Sequence, residues 1–166
     1  MRRMHLIGLG TAVLLGAILL CFLWLENQRQ TLYLDKVDYG SQMEQNLRFA
    51  EAALVYESAL DLDLSDRERS EIRYRLARSK IRGNDLAGAL GVLQELSSED
   101  VARFSLDVGP LYLELGEKAM REGMLPLARI ALQEGRGVSP TRHDDFSRRL
   151  DSMIKPADGT EESGGE

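Results

Sequence analysis

The chain has 166 residues, with 27 acidic and 21 basic side chains, two histidines and one cysteine. Aromatic residues make up only 6%, which disfavours a β-sandwich because sheets draw on aromatic and β-branched residues. A single cysteine excludes an internal disulfide, and one cysteine with two distant histidines cannot build an ordinary zinc site. The sequence therefore predicts neither a metal nor any other cofactor.

Charge is distributed unevenly along the chain. Arg2 and Arg3 are the only charged residues among the first 25, so the remainder carries a net charge of −8 against −6 for the whole chain. An acidic surface argues against nucleic acid as a partner, because phosphates require basic side chains. We expect the partners to be other proteins.

The N-terminal segment is strongly apolar. Residues 6–25 read LIGLGTAVLLGAILLCFLWL, without a charge, and twenty helical residues measure roughly 30 Å, the thickness of a bilayer core. This predicts a transmembrane anchor over 6–25 behind a cytoplasmic N-terminus at 1–5. A cleaved signal peptide is the alternative, but the run is longer than is usual and lacks small residues at a cleavage site. Lipidation at Cys21 is disfavoured because large residues precede it.

The flanking charges predict the orientation of this anchor. Arg2, Arg3 and the α-amino group precede it, whereas Glu26 opens the other side. The positive-inside rule then places the N-terminus in the cytoplasm and the C-terminal domain outside it. The expected location is the inner (cytoplasmic) membrane of a bacterium, with a periplasmic domain.

Small residues recur every four positions in the apolar run. Gly8, Ala12 and Gly16 would share one helix face, and such a face permits close approach of a second helix. This favours self-association or docking against a partner helix. The alternative is that glycine and alanine are simply common in membrane helices.

The rest of the chain predicts an all-α fold. From Gln30 onward apolar residues recur at three- and four-residue spacings, without a useful alternating pattern. Candidate helices run over 30–46, 48–61, 67–82, 84–97, 110–122, 124–135 and 141–154, with a short extra turn over 99–106. Residues 26–33 would connect the anchor to the domain.

One pattern occurs three times. Its copies are Phe49-x-x-Ala52-x-x-x-Tyr56-x-x-Ala59, Leu86-x-x-Ala89-x-x-x-Leu93-x-x-Leu96 and Leu125-x-x-Ala128-x-x-x-Leu132-x-x-Gly135. Before the third copy stands Tyr112-x-x-Leu115-Gly116-x-x-Ala119, and Pro140 follows it. The pattern over 34–140 resembles the tetratricopeptide repeat (TPR) family, with alanines 37 and 39 residues apart against the usual 34 or so.

The resemblance implies stacked helix pairs, in which small residues let two helices approach. The residues expected to pack within and between pairs are Ala52, Tyr56, Ala59, Ala89, Leu93, Gly116, Ala128 and Leu132. A helix over 141–154 carries Phe146, Leu150, Met153 and Ile154 on one face and charges on the other, as a terminal cap requires. Residues 155–166 are polar and acidic, which predicts a disordered tail.

Nothing in the sequence has the pattern of an active site. His143 lacks a partner with which to act, so we interpret it as a solvated surface residue. The stretch Asp61-x-Asp63-x-Ser65-Asp66 resembles the start of a calcium loop, but Asp66 and Ile72 occupy the positions that require Gly and Glu. We therefore expect a protein that is not an enzyme.

Basic residues crowd the segment over 67–82. In the TPR family the first helix of each pair lines a concave groove that holds partner peptides. The resemblance implies that this groove is lined by Tyr74, Arg78, Ile81, Arg82, Leu113, Glu117, Met120 and Arg121. Arginines beside apolar residues suit a peptide that bears carboxylates. The alternative is a solvated helix whose arginines pair with Asp66, Glu68 and Glu71.

Two functions are consistent with these patterns. The first is a membrane-anchored scaffold, or accessory subunit of an envelope assembly, that binds peptides or helices in the groove. The second is a structural component that self-associates into a membrane-bound oligomer.

Overall fold

A computed structural model describes residues 2–96, 98–103, 106–138 and 142–154, without the side chains at 2–14, 98, 100, 143 and 154. Its helices are α1 (Arg2–Gln45), α2 (Phe49–Leu60), α3 (Asp66–Arg82), α4 (Leu86–Gln94), α5 (Ser98–Arg103), α6 (Gly109–Arg121), α7 (Leu125–Val138) and α8 (His143–Ile154). The described residues contain no strand, in agreement with the predicted all-α class. The predicted tail at 155–166 lies outside the described residues.

The predicted transmembrane helix over 6–25 does not hold. Among the residues that the structure describes, none of the helices is both long enough and apolar enough to cross a bilayer. The sequence leaves open whether the helix over 30–46 joins the domain or continues from the apolar segment that ends at Leu25. The predicted inner-membrane location and periplasmic orientation depend on the predicted transmembrane helix.

Helix α1 continues without a break from the apolar segment into the helical domain. It is 44 residues long, and every described side chain before Arg29 is exposed. Eight large apolar side chains between Leu15 and Leu25 are 55–69% exposed. From Arg29 onward α1 packs against α2 and contacts the start of α3. The segments predicted as anchor, connector and first domain helix are thus parts of one helix.

Six of the described helices pack as successive pairs: α1 with α2, α3 with α4 and α6 with α7. The turn within each pair has one residue in the left-handed region, at φ 59° for Leu47, 70° for Asn84 and 73° for Gly123. In each turn the next residue's N–H donates to the carbonyl five positions earlier, over 2.8–2.9 Å. This is the Schellman arrangement, which satisfies carbonyls at a helix end.

These turns set the register of the small residues that pack inside each pair. Ala52, Ala89 and Ala128 each lie five positions after the left-handed residue, and all three are fully buried. The turns are therefore spaced by 37 and 39 residues, like the alanines. Three helix pairs share one turn geometry and one packing register.

The interior consists of two neighbouring clusters. The first lies among α1, α2 and α3 and includes Tyr33, Met43, Tyr56 and Ile72. The second extends from α3 to α8 and ends on Phe146, which is fully buried. Burying a side chain of that size contributes roughly 1.5–3 kcal/mol. Helix α8 packs on α7 and covers the end of the second cluster.

Candidate functional site

Helix α3 carries most of the charged residues of interest, and strong local signals fix its ends. Ser65 caps its N-terminus in a reciprocal capping box with Glu68. Lys80 and Arg82 lie in its last turn, where positive charge complements the helix dipole. At that end the Lys118 ammonium group donates to the carbonyls of Ile81 (2.7 Å) and Arg82 (3.3 Å). The helix is thereby held against α6.

A cavity of about 330 Å³ lies on the exposed side of α3, and we name it the α3 pocket. It is lined by Arg67, Glu71, Tyr74, Arg75, Arg78 and Leu106. Tyr74 and Leu106 are partly buried against the second core cluster and give the pocket its apolar contacts. Leu106 comes from the segment that follows α5, a short helix that itself packs on α3.

Two of the three guanidinium groups in the α3 pocket are already paired. Arg75 donates to Glu71 over 2.8 Å, one helical turn earlier. Arg78 donates over 2.5 Å to Glu44, whose side chain is only 8% exposed. Glu44 also accepts a 2.6 Å hydrogen bond from the hydroxyl of buried Ser79. An acidic residue on α1 therefore neutralises a pocket residue on α3.

A tyrosine from α1 supports the pairing of Arg75 with Glu71. The hydroxyl of buried Tyr33 donates to Glu71 over 3.4 Å. Burial raises the pKa of Tyr33 to about 12, and the negative charges of Glu71 and Glu68 act in the same direction. Tyr33 therefore remains a hydrogen-bond donor to Glu71 at every physiological pH.

Arg67 differs from the other two arginines. Its side chain is exposed and lines the α3 pocket. In the part of the chain that the structure describes, it makes neither an ion pair nor a side-chain hydrogen bond. It is the pocket cation available to a ligand.

The residues predicted to line one groove divide between separate places. Tyr74 and Arg78 line the α3 pocket, whereas Leu113 and Glu117 line a second cavity of about 450 Å³ between α6 and α8. That cavity, the α6–α8 pocket, is completed by Asp145, Arg148, Arg149 and Ser152. Glu117 there pairs with Arg149 over 2.6 Å.

The remaining predicted groove residues lie elsewhere. Ile81 is fully buried, so it does not face a groove; it follows Ala77 by one turn on the core side of α3. Arg82 extends over the ring of Phe49 at 5.9 Å, beside the turn between α1 and α2. Met120 packs partly against the core, and Arg121 is exposed at the end of α6.

The structure places all eight predicted repeat-packing residues in the interior. They are Ala52, Tyr56, Ala59, Ala89, Leu93, Gly116, Ala128 and Leu132. Gly40 and Gly116 lie seven residues before their left-handed turn residues and directly against Tyr56 and Leu132. Ala77 occupies the equivalent position of the second pair.

The structure leaves the small-residue face of α1 undetermined. The side chains at Gly8 and Ala12 lie outside the described set, and a Cβ at Gly16 would meet no described atom within 4 Å. The side chain of His143 also lies outside that set. Among the described residues, no group of three or more His, Cys, Asp or Glu side chains is positioned to hold a metal ion.

Sequence reasoning missed three contributors to the α3 pocket, namely Tyr33, Glu44 and Leu106. The expected partners of the arginines were acidic residues on α3 itself, and Glu71 is such a partner for Arg75. Glu44 lies 34 residues before Arg78 in the chain, and no local spacing signals that contact. Leu106 belongs to a short connecting segment without periodicity.

Comparison with models of known protein families, with curated proteins and with solved structures yields no match to this chain.

Proposed function

We propose that the chain is a non-enzymatic protein-interaction module whose TPR-like helix pairs bind a segment of a partner protein along α3. The α3 pocket is the observation that carries this proposal. It combines apolar contacts from Tyr74 and Leu106 with the guanidinium of Arg67, which has no ion-pair partner among the described residues. Pockets that combine apolar lining with a few polar groups are the usual form of a ligand site.

The repeated turn geometry supports the TPR-like part of the proposal. Three pairs with the same left-handed turn and the same buried alanine form a short array of similar units. Each such pair is too small to bury its apolar face alone, so neighbouring pairs share a core. Stacked units also leave a continuous row of helices on one side, which suits recognition of an extended peptide or a helix.

A peptide-display selection against the full-length chain tests this function. Selected peptides should lose binding on Arg67→Ala and on Tyr74→Ala, since both changes remove groups that line the α3 pocket. Arg129→Ala on α7 and Leu54→Ala on α2 are the matched controls, because both residues are exposed and lie outside this pocket. Binding that is unaffected by the pocket variants, or lost equally with the controls, would contradict the proposal.

A further inference from the structure

The α3 pocket contains more positive groups than it can offer to a ligand. Three guanidinium groups line it, but Glu71 occupies Arg75 and Glu44 occupies Arg78. Arg67 alone lacks such a partner among the described residues. The count of arginines in the sequence therefore overstates the available positive charge, which amounts to one guanidinium group.

We propose that the α3 pocket recognises a single carboxylate next to one apolar side chain, and that Glu44 and Glu71 set this number by neutralising Arg78 and Arg75. This inference rests on the function proposed above and names the chemistry of the ligand. Arg67 would bind the carboxylate, because a guanidinium group can hold both of its oxygens. Tyr74 and Leu106 would contact the apolar side chain.

The geometry explains why a ligand does not displace Glu44. Its side chain is 8% exposed and also accepts from Ser79. A ligand carboxylate that took Arg78 would leave this buried carboxylate without its cation. An unpaired buried charge is costly, so exchange of partners is disfavoured. Glu71 is more exposed, at 39%, but it is held by both Arg75 and Tyr33.

The small volume of the pocket also limits the ligand to a short segment. A volume of about 330 Å³ lies near the lower end for ligand sites. It accommodates a short stretch of extended peptide rather than the side of a helix.

Three capped synthetic peptides test the inference by NMR titration of the full-length chain. They share the sequence acetyl-Gly-Ser-Leu-X-X-Ser-amide, with the two X positions filled by Asn-Asn, Asp-Asn or Asp-Asp. The wild-type chain should bind the Asp-Asn peptide more tightly than the Asn-Asn peptide and gain little from the second Asp. Glu44→Gln and Glu71→Gln should each bind the Asp-Asp peptide more tightly than the Asp-Asn peptide, by roughly two- to fivefold.

Glu51→Gln is the matched control, because it changes the net charge equally but lies on α2, outside the α3 pocket. It should retain the wild-type preference. If Glu44→Gln unfolds, Glu71→Gln carries the test at a more exposed position. A wild-type chain that binds none of the peptides would overturn the proposed function and this inference with it. If the wild-type chain binds the peptides but the Glu44 and Glu71 variants keep its preference among them, this inference alone would be overturned.

Discussion

Leu132 of α7 lies directly over Gly116 of α6, so closely that a Cβ at Gly116 would be 2.7 Å from Cγ and from Cδ2 of Leu132. Both residues are fully or almost fully buried, and the surrounding core leaves Leu132 little freedom to move. The close contact brings the two helices of the third pair together.

Replacing Gly116 with alanine should therefore destabilise the fold. Overpacking of this kind costs about 1–3 kcal/mol, which exceeds the gain in helix propensity from alanine. Urea unfolding followed by circular dichroism measures the difference. Gly91→Ala in α4 is the control, since no described atom lies within 4 Å of its added Cβ. That variant should be neutral or more stable by about 0.5–1 kcal/mol, and equal losses in both variants would refute the packing argument.

The turn between α1 and α2 should gain stability from a change to glycine. Leu47 has φ 59° and is 75% exposed, so it has backbone strain without compensating burial. Left-handed backbone costs a side-chain-bearing residue roughly 1–2 kcal/mol, and part of this is offset by the entropy of a new glycine. Leu47→Gly should raise the free energy of unfolding by up to about 1 kcal/mol. The converse change, Gly123→Ala, should lower it; a stabilising Gly123→Ala would contradict this account.

Acid should weaken the contact between α1 and the start of α3. Partial burial opposes ionisation of Glu68, but hydrogen bonds from Ser65 and Arg29 outweigh it and lower its pKa below the ordinary 4.5. A lowered pKa means that the stabilisation is complete above the unfolded-state value and is lost as pH falls through the folded-state value. The difference in unfolding free energy between wild type and Glu68→Gln should therefore be constant near neutrality and shrink below about pH 4.5. Chemical unfolding across this pH range measures it, and a difference that grows in acid would exclude the contact as its cause.

The C-terminal end of α3 should depend on Lys118. Its ammonium group donates to the carbonyl of Ile81, which also accepts from the N–H of Asn84 over 3.2 Å, and to the carbonyl of Arg82 at the helix end. Lys118→Met keeps most of the aliphatic chain but removes the donor, and should cost about 1–2 kcal/mol. Arg121→Met is the comparison, because Arg121 is exposed at the end of the same helix. Its effect should remain within about 0.5 kcal/mol, as judged by thermal unfolding of both variants.

The helices and their packing residues follow from local pattern, whereas the pocket does not. The spacing of Ala52, Ala89 and Ala128 is visible in the sequence because small residues must recur where helices meet. The turn at Leu47 gives no such signal, since leucine is a poor residue for left-handed backbone. The family pattern predicts that Ile81 faces the groove, but its position one turn after Ala77 places it on the buried side.

The ion pairs also show that local spacing predicts only contacts within one helix. Pairing of Arg75 with Glu71 follows from their four-residue separation on one helix. Pairing of Arg78 with Glu44 depends on how α1 lies against α3, which no short-range rule supplies. The continuity of α1 is also left open by the sequence, because a change from apolar to polar sequence at Glu26 alters the surroundings of a helix without interrupting its backbone hydrogen bonds.

A single helix of 44 residues is about 66 Å long. The exposed stretch over 15–28 therefore belongs to the same rod as Tyr33 and Glu44, which bond to Glu71 and Arg78. A rotation of this helix about its own axis would move Glu44 relative to Arg78. Such a rotation would change the number of free charges in the pocket without any direct contact with it.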